Sequence, residues 1–202
     1  MKIICIGKNY KLHALEFDGI IPDEPLIFMK PDSAVLRKGI PFVIPEFTND
    51  VHYETEVVLK VCKVGKHIQK EFAHRYYEEF ALGLDLTARD LQYKLKDMGY
   101  PWEKAKAFDG SAFVSDFFPK EGVDLDNLNF SLTVNDKFAQ KGNTKDMSIT
   151  MDEIICYVSK YFTLKKGDLI FTGSPEGVAT IHSGDVLKGF IGEKHVFQVN
   201  VK

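Results

Sequence analysis

The sequence predicts a mostly β protein of the α+β class, in which mixed or antiparallel sheets carry a few short flanking helices. Segments rich in β-branched and aromatic residues recur along the whole chain, whereas helical patterns are few. Strands and helices do not alternate as they would in a parallel βαβ fold. The 202 residues, 45% of them hydrophobic, suffice for one sizeable core. We therefore expect a single domain over residues 1–202.

The predicted strands are runs of β-branched and aromatic residues bounded by turn residues. Two tight turns, Val134 to Lys137 and Gly192-Glu193, separate neighbouring runs and indicate β-hairpins. The predicted strands cover 2–7, 51–63, 80–86, 129–136, 168–173, 185–192 and 194–201.

Three helices are predicted between these strands. The first covers roughly Tyr10 to Phe17 by its pattern of apolar residues. The second begins at Thr87, has Asp90 three residues later in a near-capping box, and continues towards Gly99. The third begins at Thr150 in the segment TMDE, whose Ser/Thr-x-x-Glu spacing is typical of a capping box.

Composition excludes several classes of function. With 26 basic and 29 acidic residues the net charge is −3, which gives no electrostatic basis for binding nucleic acid or an anionic membrane. The N-terminal apolar run is too short for a signal peptide and no stretch approaches a membrane span, so we expect a soluble cytoplasmic protein. Glycine-rich nucleotide signatures are absent. The scattered Cys5, Cys62 and Cys156 lie in apolar runs and are expected to be buried, reduced thiols.

Acidic residues in two predicted strands form the first candidate site. His52, Glu54 and Glu56 alternate along the strand and would share one face, where two adjacent carboxylates repel each other unless a cation lies between them. Asp85 ends a strongly apolar run, where an unpaired carboxylate is costly to bury. If the three acids converge, their oxygens suit Mg²⁺, Mn²⁺ or Ca²⁺. A solvated strand face with an incidental Asp85 would explain the same pattern.

The segment GKNYKLHALEF contains a second candidate site. His13 and Glu16 are three residues apart, so they are neighbours on a helix. A carboxylate beside an imidazole can orient it and raise its basicity, as in a general-base dyad. A routine surface pair has the same spacing.

Further polar residues follow apolar segments. Arg89 and Gln92 share a helix face after Asp85 and are suited to a substrate carboxylate or carbonyl. Lys30 follows the apolar LIFM, and Lys106 lies between two alanines, although solvation explains either lysine equally well. The loop over 171–177, FTGSPEG, offers hydroxyls and backbone amides but by itself is only a turn.

Taken together, these segments resemble a known family. The motifs GKNYxxHxxE, FMKP, HxExE, LDLTARDxQ, WxxAKxFD and GDLIFTGSPxG follow one another along the chain, and the resemblance extends from Ile4 to about Val199. Each motif is unspecific alone, but their joint order closely resembles the fumarylacetoacetate hydrolase family. The chain is most similar to the short single-domain acylpyruvate hydrolases and oxaloacetate decarboxylases of that family.

This resemblance implies a mixed β-roll of largely antiparallel sheets, a homodimer, and a small 2-keto acid as substrate. It also implies a role for each matching residue. Glu54, Glu56 and Asp85 would bind Mg²⁺ or Mn²⁺. The catalytic residues would be His13 and Glu16, on a lid-like segment over about 9–22, and Lys106. The substrate-binding residues would be Arg89, Gln92, Lys30 and Thr172.

The activity implied is metal-dependent hydrolysis of the C–C bond of 2,4-diketo acids, giving pyruvate and a carboxylic acid through an enolate. Oxaloacetate decarboxylation needs the same enolate and can share the site. Two alternatives stay open: an isomerase, hydratase or decarboxylase of unsaturated 2-keto diacids from aromatic catabolism, and a non-catalytic metal-binding dimer. One stretch departs from the family, because Gly110 to Phe113 replaces a proline-containing turn. We therefore expect an altered pocket shape near Lys106.

Overall fold

A computed structural model describes residues 1–17 and 24–202. No helix within these residues is long and apolar enough to cross a membrane. Of the predicted lid-like segment over 9–22, residues 18–22 lie outside the described residues.

The described chain is dominated by strands. They are β1 (Lys2–Gly7), β2 (Leu26–Pro31), β3 (Val51–His52), β4 (Thr55–Val61), β5 (Tyr77–Asp85), β6 (Thr87–Ala88), β7 (Ala112–Val114), β8 (Phe118–Pro119), β9 (Asn129–Val134), β10 (Lys137–Asn143), β11 (Leu169–Phe171), β12 (Val186–Ile191) and β13 (Lys194–Asn200). The α-helices are α1 (Lys11–Phe17), α2 (Lys70–Ala73), α3 (Arg89–Asp97), α4 (Glu103–Lys106) and α5 (Met151–Tyr161). Short 3-10 turns cover Asp32–Ala34, Leu125–Asn127 and Thr144–Asp146.

Within the described residues the strands form two main sheets. The larger has the order β2-β1-β11-β4-β5-β7, with β8 also paired to β5, and the smaller has the order β10-β9-β12-β13. Strands β1 and β11 are parallel, whereas the other pairs in both sheets are antiparallel. β3 and β6 form a small separate pair. The predicted mostly β, mixed-sheet architecture with few helices is thus confirmed.

Apolar residues cover both faces of the larger sheet. Along β1, Ile4 and Ile6 belong to the main core, which also contains α5, whereas Ile3 and Cys5 belong to a smaller cluster on the opposite face. This follows from the alternation of side chains along a strand. Because both faces are covered, Asp85 at the end of β5 is fully buried.

The structure contains the predicted capping box and one of the predicted hairpin turns. A capping box begins α5, where the Thr150 hydroxyl accepts from Glu153 N and the Glu153 carboxylate accepts from Thr150 N. In the hairpin between β9 and β10, Asn135 and Asp136 have φ angles of 51° and 63°. Positive φ at both central residues is the geometry that the twist of a two-residue hairpin requires.

Two predictions were wrong: the first residue of the second helix and the burial of all three cysteines. Helix α3 begins at Arg89 rather than Thr87, because Thr87 pairs with His52 in the β3–β6 ladder and its hydroxyl accepts from Lys106 Nζ at 2.6 Å. Thr87 is therefore not available as a cap. The three thiols are free, but only Cys5 is buried, whereas Cys62 and Cys156 are partly exposed.

Candidate active site

The acidic residues converge where two antiparallel strands of the larger sheet meet. Glu54 immediately precedes β4 and Glu56 lies in it, while Asp85 is the last residue of the adjacent β5. Asp85 N donates to Glu54 O at 2.8 Å, which holds the two backbones together. Each side chain contributes one oxygen to a group whose atoms lie within 4.8 Å of one another. Glu54, Glu56 and Asp85 are only 5%, 2% and 0% exposed.

The strand predicted over 51–63 is interrupted, which corrects the first expectation. β3 ends at His52 and β4 begins at Thr55, so Glu54 lies in the gap between them. The Nε2 of His52 lies 3.0 Å from Asp50 Oδ1 and 3.3 Å from Thr180 Oγ1, while its Nδ1 accepts from Arg89 Nε at 3.4 Å. His52 is therefore not one of the clustered carboxylate-site residues, but it contacts Arg89, which donates to Glu54.

Three cationic side chains surround two of these carboxylates. Lys106 Nζ lies 2.7 Å from Glu54 Oε2 and 2.9 Å from Asp85 Oδ2. Lys30 Nζ lies 2.8 Å from Asp85 Oδ1, and the Arg89 guanidinium donates to Glu54 Oε1. Burial alone would raise the pKa of Glu54, but Lys106 and Arg89 outweigh it and hold that pKa well below its usual range.

Glu56 has a different environment from the other two acids. Its Oε2 accepts from the backbone amide of Gly173 at 2.7 Å. Burial, followed by the charges of Asp85 and Glu54, raises the pKa of Glu56 well above its usual range. The three cations contact Glu54 and Asp85, whereas Glu56 contacts a backbone amide, so a positively charged ligand beside Glu56 would stabilise its ionised form.

The group fits a divalent cation. Asp85 Oδ1 is buried and has no hydrogen-bond donor among the described residues, because Lys30 Nζ lies close to it but out of line for a hydrogen bond. Three buried carboxylates whose oxygens lie this close together provide a hard, all-oxygen donor set. Glu54, Glu56 and Asp85 would therefore hold Mg²⁺ or Mn²⁺, which accept the same ligands.

Helix α1 forms the opposite wall of the pocket above these acids. His13 is buried and lines the same pocket as Glu54, Glu56 and Lys106. Its Nδ1 lies 3.3 Å from Glu16 Oε2. Burial lowers the pKa of His13 below its ordinary value, and this outweighs the opposing effects of Glu54 and Glu16. The imidazole is therefore neutral near pH 7 and able to accept a proton.

A loop after β11 connects the acids to this helix. Gly173 N donates to Glu56, while Gly177 N donates to Glu16 Oε1 at 2.7 Å. Both glycines have positive φ, of 105° and 92°. A Cβ at Gly173 would lie 2.7 Å from the Cβ of Asn9, so a larger residue would force the loop away from α1. The loop over 173–177 thus contacts both candidate site groups.

The remaining predicted residues fall into two sets. Arg89 and Gln92 line the pocket with their side chains hydrogen-bonded to each other, and Lys106 lines it too. Lys30 lies behind the acids, where its ammonium donates to Ser111 O and Oγ. The Thr172 hydroxyl donates to Val57 O at 2.9 Å, so a substrate contact through it would require this bond to break.

Sequence reasoning did not identify several residues at the site. Asn9, which precedes α1 in the chain, connects that segment to the end of β11, because its amide donates to Thr172 O and Ile149 O and accepts from Ile149 N. Its position in the GKNY segment was a signal that could have identified it. Ser174 and Trp102 line the pocket. Phe113 does not line this pocket but packs against Phe197 in the core, with ring centroids 5.0 Å apart.

Fold and site together define a mixed-sheet protein with a buried three-carboxylate centre of the kind that binds a divalent cation. The profile of the fumarylacetoacetate hydrolase C-terminal domain matches residues 2–199. The chain belongs to the fumarylacetoacetate hydrolase family, as the resemblance predicted, and is an enzyme of that family.

Similar proteins align with nearly the whole chain. Oxaloacetate tautomerase YcgM of Escherichia coli is 40% identical over 188 residues, which are 92% of this chain and 86% of the relative. The mitochondrial oxaloacetate tautomerase FAHD1 of Bos taurus is 40% identical over 94% of this chain and 86% of its own length. A crystal structure of fumarylpyruvate hydrolase from Pseudomonas aeruginosa, with Mn²⁺ and pyruvate, is 35% identical and has a TM-score of 0.93. That match covers 100% of this chain and 89% of the other.

Proposed function

We propose that this enzyme uses a divalent cation to act on small 2-keto acids, with oxaloacetate as its first substrate. The observation that carries the proposal is the buried group of Glu54, Glu56 and Asp85, within reach of a pocket that a neutral histidine also lines. The 40% identity to oxaloacetate tautomerases supports the choice of substrate. The reactions expected are keto–enol interconversion and decarboxylation.

The chemistry follows from the side chains around the pocket. A bound divalent cation supplies Lewis acidity that withdraws electrons from the keto group of the substrate. His13, whose Nδ1 lies 3.3 Å from Glu16 Oε2, accepts the proton from the carbon next to the keto group. The Lys106 ammonium stabilises the negative charge on the keto oxygen, whether it develops through loss of the C3 proton or through cleavage of the C3–C4 bond with release of CO2. The enolate is then protonated on oxygen to give the enol, or on C3 to give the keto acid. Arg89 and Gln92 bind the substrate carboxylate.

The outer part of the pocket supports a substrate with a second acidic group. Lys8 and Lys96 line the same pocket as the buried acids, together with the aromatic Tyr93 and Trp102. Cationic side chains at a distance from the metal-binding group attract the distal carboxylate of a dicarboxylic keto acid. This favours oxaloacetate over an acylpyruvate whose acyl end is uncharged.

Hydrolysis of 2,4-diketo acids is the second candidate. It is favoured by the similar fumarylpyruvate hydrolase, whose structure contains Mn²⁺ and pyruvate. Here His13 would take a proton from water, and the water would attack the C4 carbonyl. Cleavage of the C3–C4 bond leaves a pyruvate enolate, which Lys106 stabilises as before.

One assay tests both candidates. Metal-stripped protein is mixed with enol oxaloacetate, acetylpyruvate or fumarylpyruvate, with and without Mg²⁺ or Mn²⁺, and the loss of ultraviolet absorbance and the formation of pyruvate are followed. Metal-dependent turnover of oxaloacetate above that of acetylpyruvate supports the proposal. Turnover of the diketo acids alone would replace it with the hydrolase, and absence of turnover with all three would overturn both.

Homodimer formation and a cytoplasmic location stay predictions. Light scattering coupled to size-exclusion chromatography would measure the first, because a homodimer has twice the 22.9 kDa mass of the chain. Cell fractionation would measure the second.

A further inference from the structure

Gln140 connects the smaller sheet to the site. It lies in β10 and is only 2% exposed. Its carboxamide forms hydrogen bonds with residues outside the smaller sheet. Its Oε1 accepts from Thr55 N at 2.9 Å. Its Nε2 donates to Ser174 Oγ and to Pro175 O, both at 2.9 Å. One carboxamide therefore binds two backbone segments that come from the larger sheet.

The first bond lies between two of the acids. Thr55 separates Glu54 from Glu56, and β4 begins at Thr55. The pairing of β4 with β11 ends at Phe171, which faces Val58, so Thr55 N lies beyond the last paired residue of β11. Gln140 Oε1 takes the place of the missing strand carbonyl, because a buried amide left without a partner would be costly.

The second set of bonds holds the loop over 173–177. The amide of Gly173 donates to Glu56, and that of Gly177 donates to Glu16. Ser174 and Pro175, which Gln140 binds, lie between these two glycines in the chain. Gly177 also packs on the strand of Gln140, where an added Cβ would lie 2.6 Å from Ala139 O.

We propose that Gln140 is a positioning residue, which fixes the distance between the Glu54–Glu56 segment and the loop that orients Glu56 and Glu16. The role needs an acceptor for Thr55 N and a donor for Pro175 O on one side chain. A carboxamide offers both groups, whereas an ionised glutamate lacks the donor and methionine lacks a strong form of either. The catalytic part of this inference rests on the function proposed above.

The test compares Gln140→Met with Asn143→Leu as a matched control. Asn143 is a second largely buried amide of β10, and it bonds Asn127 and Asn129 and accepts from Lys145 N, away from the acids. Both variants lose several buried hydrogen bonds, and thermal unfolding measures how far each is destabilised. Gln140→Asn, which is one methylene shorter, is measured in parallel as a milder change that retains the amide.

The readouts are Mn²⁺ affinity, from the electron paramagnetic resonance signal of free Mn²⁺, and kcat and KM for oxaloacetate. We expect Gln140→Met to weaken Mn²⁺ binding and to lower kcat, each by roughly 10- to 100-fold, as do other residues that orient metal ligands. Gln140→Asn should show smaller losses in the same direction, and Asn143→Leu should show neither. Wild-type values in the Gln140 variants, or equal losses in Asn143→Leu, would overturn the inference. Should the wild type not turn over oxaloacetate, the proposed function fails, while Mn²⁺ affinity still tests Gln140.

Discussion

The two walls of the pocket are built differently. The floor, formed by the ends of β4 and β5, holds buried carboxylates that are paired to buried cations through several short contacts. The opposite wall is α1, a helix of seven residues in which Leu12 and Leu15 are 59% and 55% exposed. At the site, Glu16 of this helix accepts from one loop amide, that of Gly177.

This difference separates two tasks. Carboxylates that bind a cation benefit from a fixed geometry, which a central pair of strands covered on both faces provides. A side chain that transfers a proton must meet a substrate that enters and leaves, so we expect α1, a short helix with two exposed leucines, to open more easily than the floor. Changes at the floor should therefore affect metal binding and stability, whereas changes on α1 should affect turnover.

Glu54→Gln should have the largest effect. It removes a ligand and leaves Lys106 and Arg89 with reduced compensation in a buried site, which costs about 3 kcal/mol or more of stability. We expect metal-dependent activity to fall by at least about a thousandfold. Calorimetric titration with Mn²⁺ and steady-state kinetics measure both effects.

The matched control for Glu54→Gln is Glu79→Gln. Glu79 is a half-exposed carboxylate of β5 that pairs with Lys60 at 2.7 Å. The same change in charge there should leave metal affinity and kcat at the wild-type level. Full activity in folded Glu54→Gln would refute the assignment of the metal to these acids.

His13→Ala should separate the two walls. Without the imidazole, kcat should fall by about 10²- to 10⁴-fold, the usual contribution of a general base. Mn²⁺ affinity should stay within a few-fold of wild type, because His13 is not among the carboxylates that form the floor. The exposed His182→Ala is the control for loss of a histidine. Equal losses of affinity and turnover in His13→Ala would mean that α1 belongs to the metal site itself.

Features that depend on neighbouring residues in the chain were predictable from the sequence. Periodicity identified the main strands, and the Thr150 capping box and the Asn135-Asp136 turn were identified because their chemistry is local. The acids were found because Glu54 and Glu56 are close in sequence. Asp85 joined them through its apolar context and the family resemblance.

Features that depend on distant contacts were not predictable. The gap before β4 accompanies the bond between Thr55 and Gln140, which are 85 residues apart. Lys30 follows an apolar strand and could have been solvated, yet it is buried because its ammonium pairs with Asp85 and donates hydrogen bonds to Ser111, 81 residues away. Thr87 was predicted to cap a helix because the residues near it in the chain do not indicate that its hydroxyl accepts a hydrogen bond from Lys106.

The smallest expected effect is that of Glu16→Gln, and its sign tests how α1 acts. A base must be neutral, so kcat/KM rises with pH through the pKa of His13 in the free enzyme and is level above it. Burial lowers that pKa, so the acid limb of the wild type should lie below the ordinary histidine value of about 6.5. The hydrogen bond to Glu16 opposes this shift by raising the pKa. Removing the carboxylate should therefore move the acid limb to still lower pH, while weaker orientation of the ring lowers the plateau by about tenfold.

The exposed Glu193→Gln, with the same change in charge, is the control and should leave the pH profile of kcat/KM unchanged. A limb that moves to higher pH in Glu16→Gln would show that Glu16 does not stabilise the protonated imidazole, and the dyad would have to be abandoned.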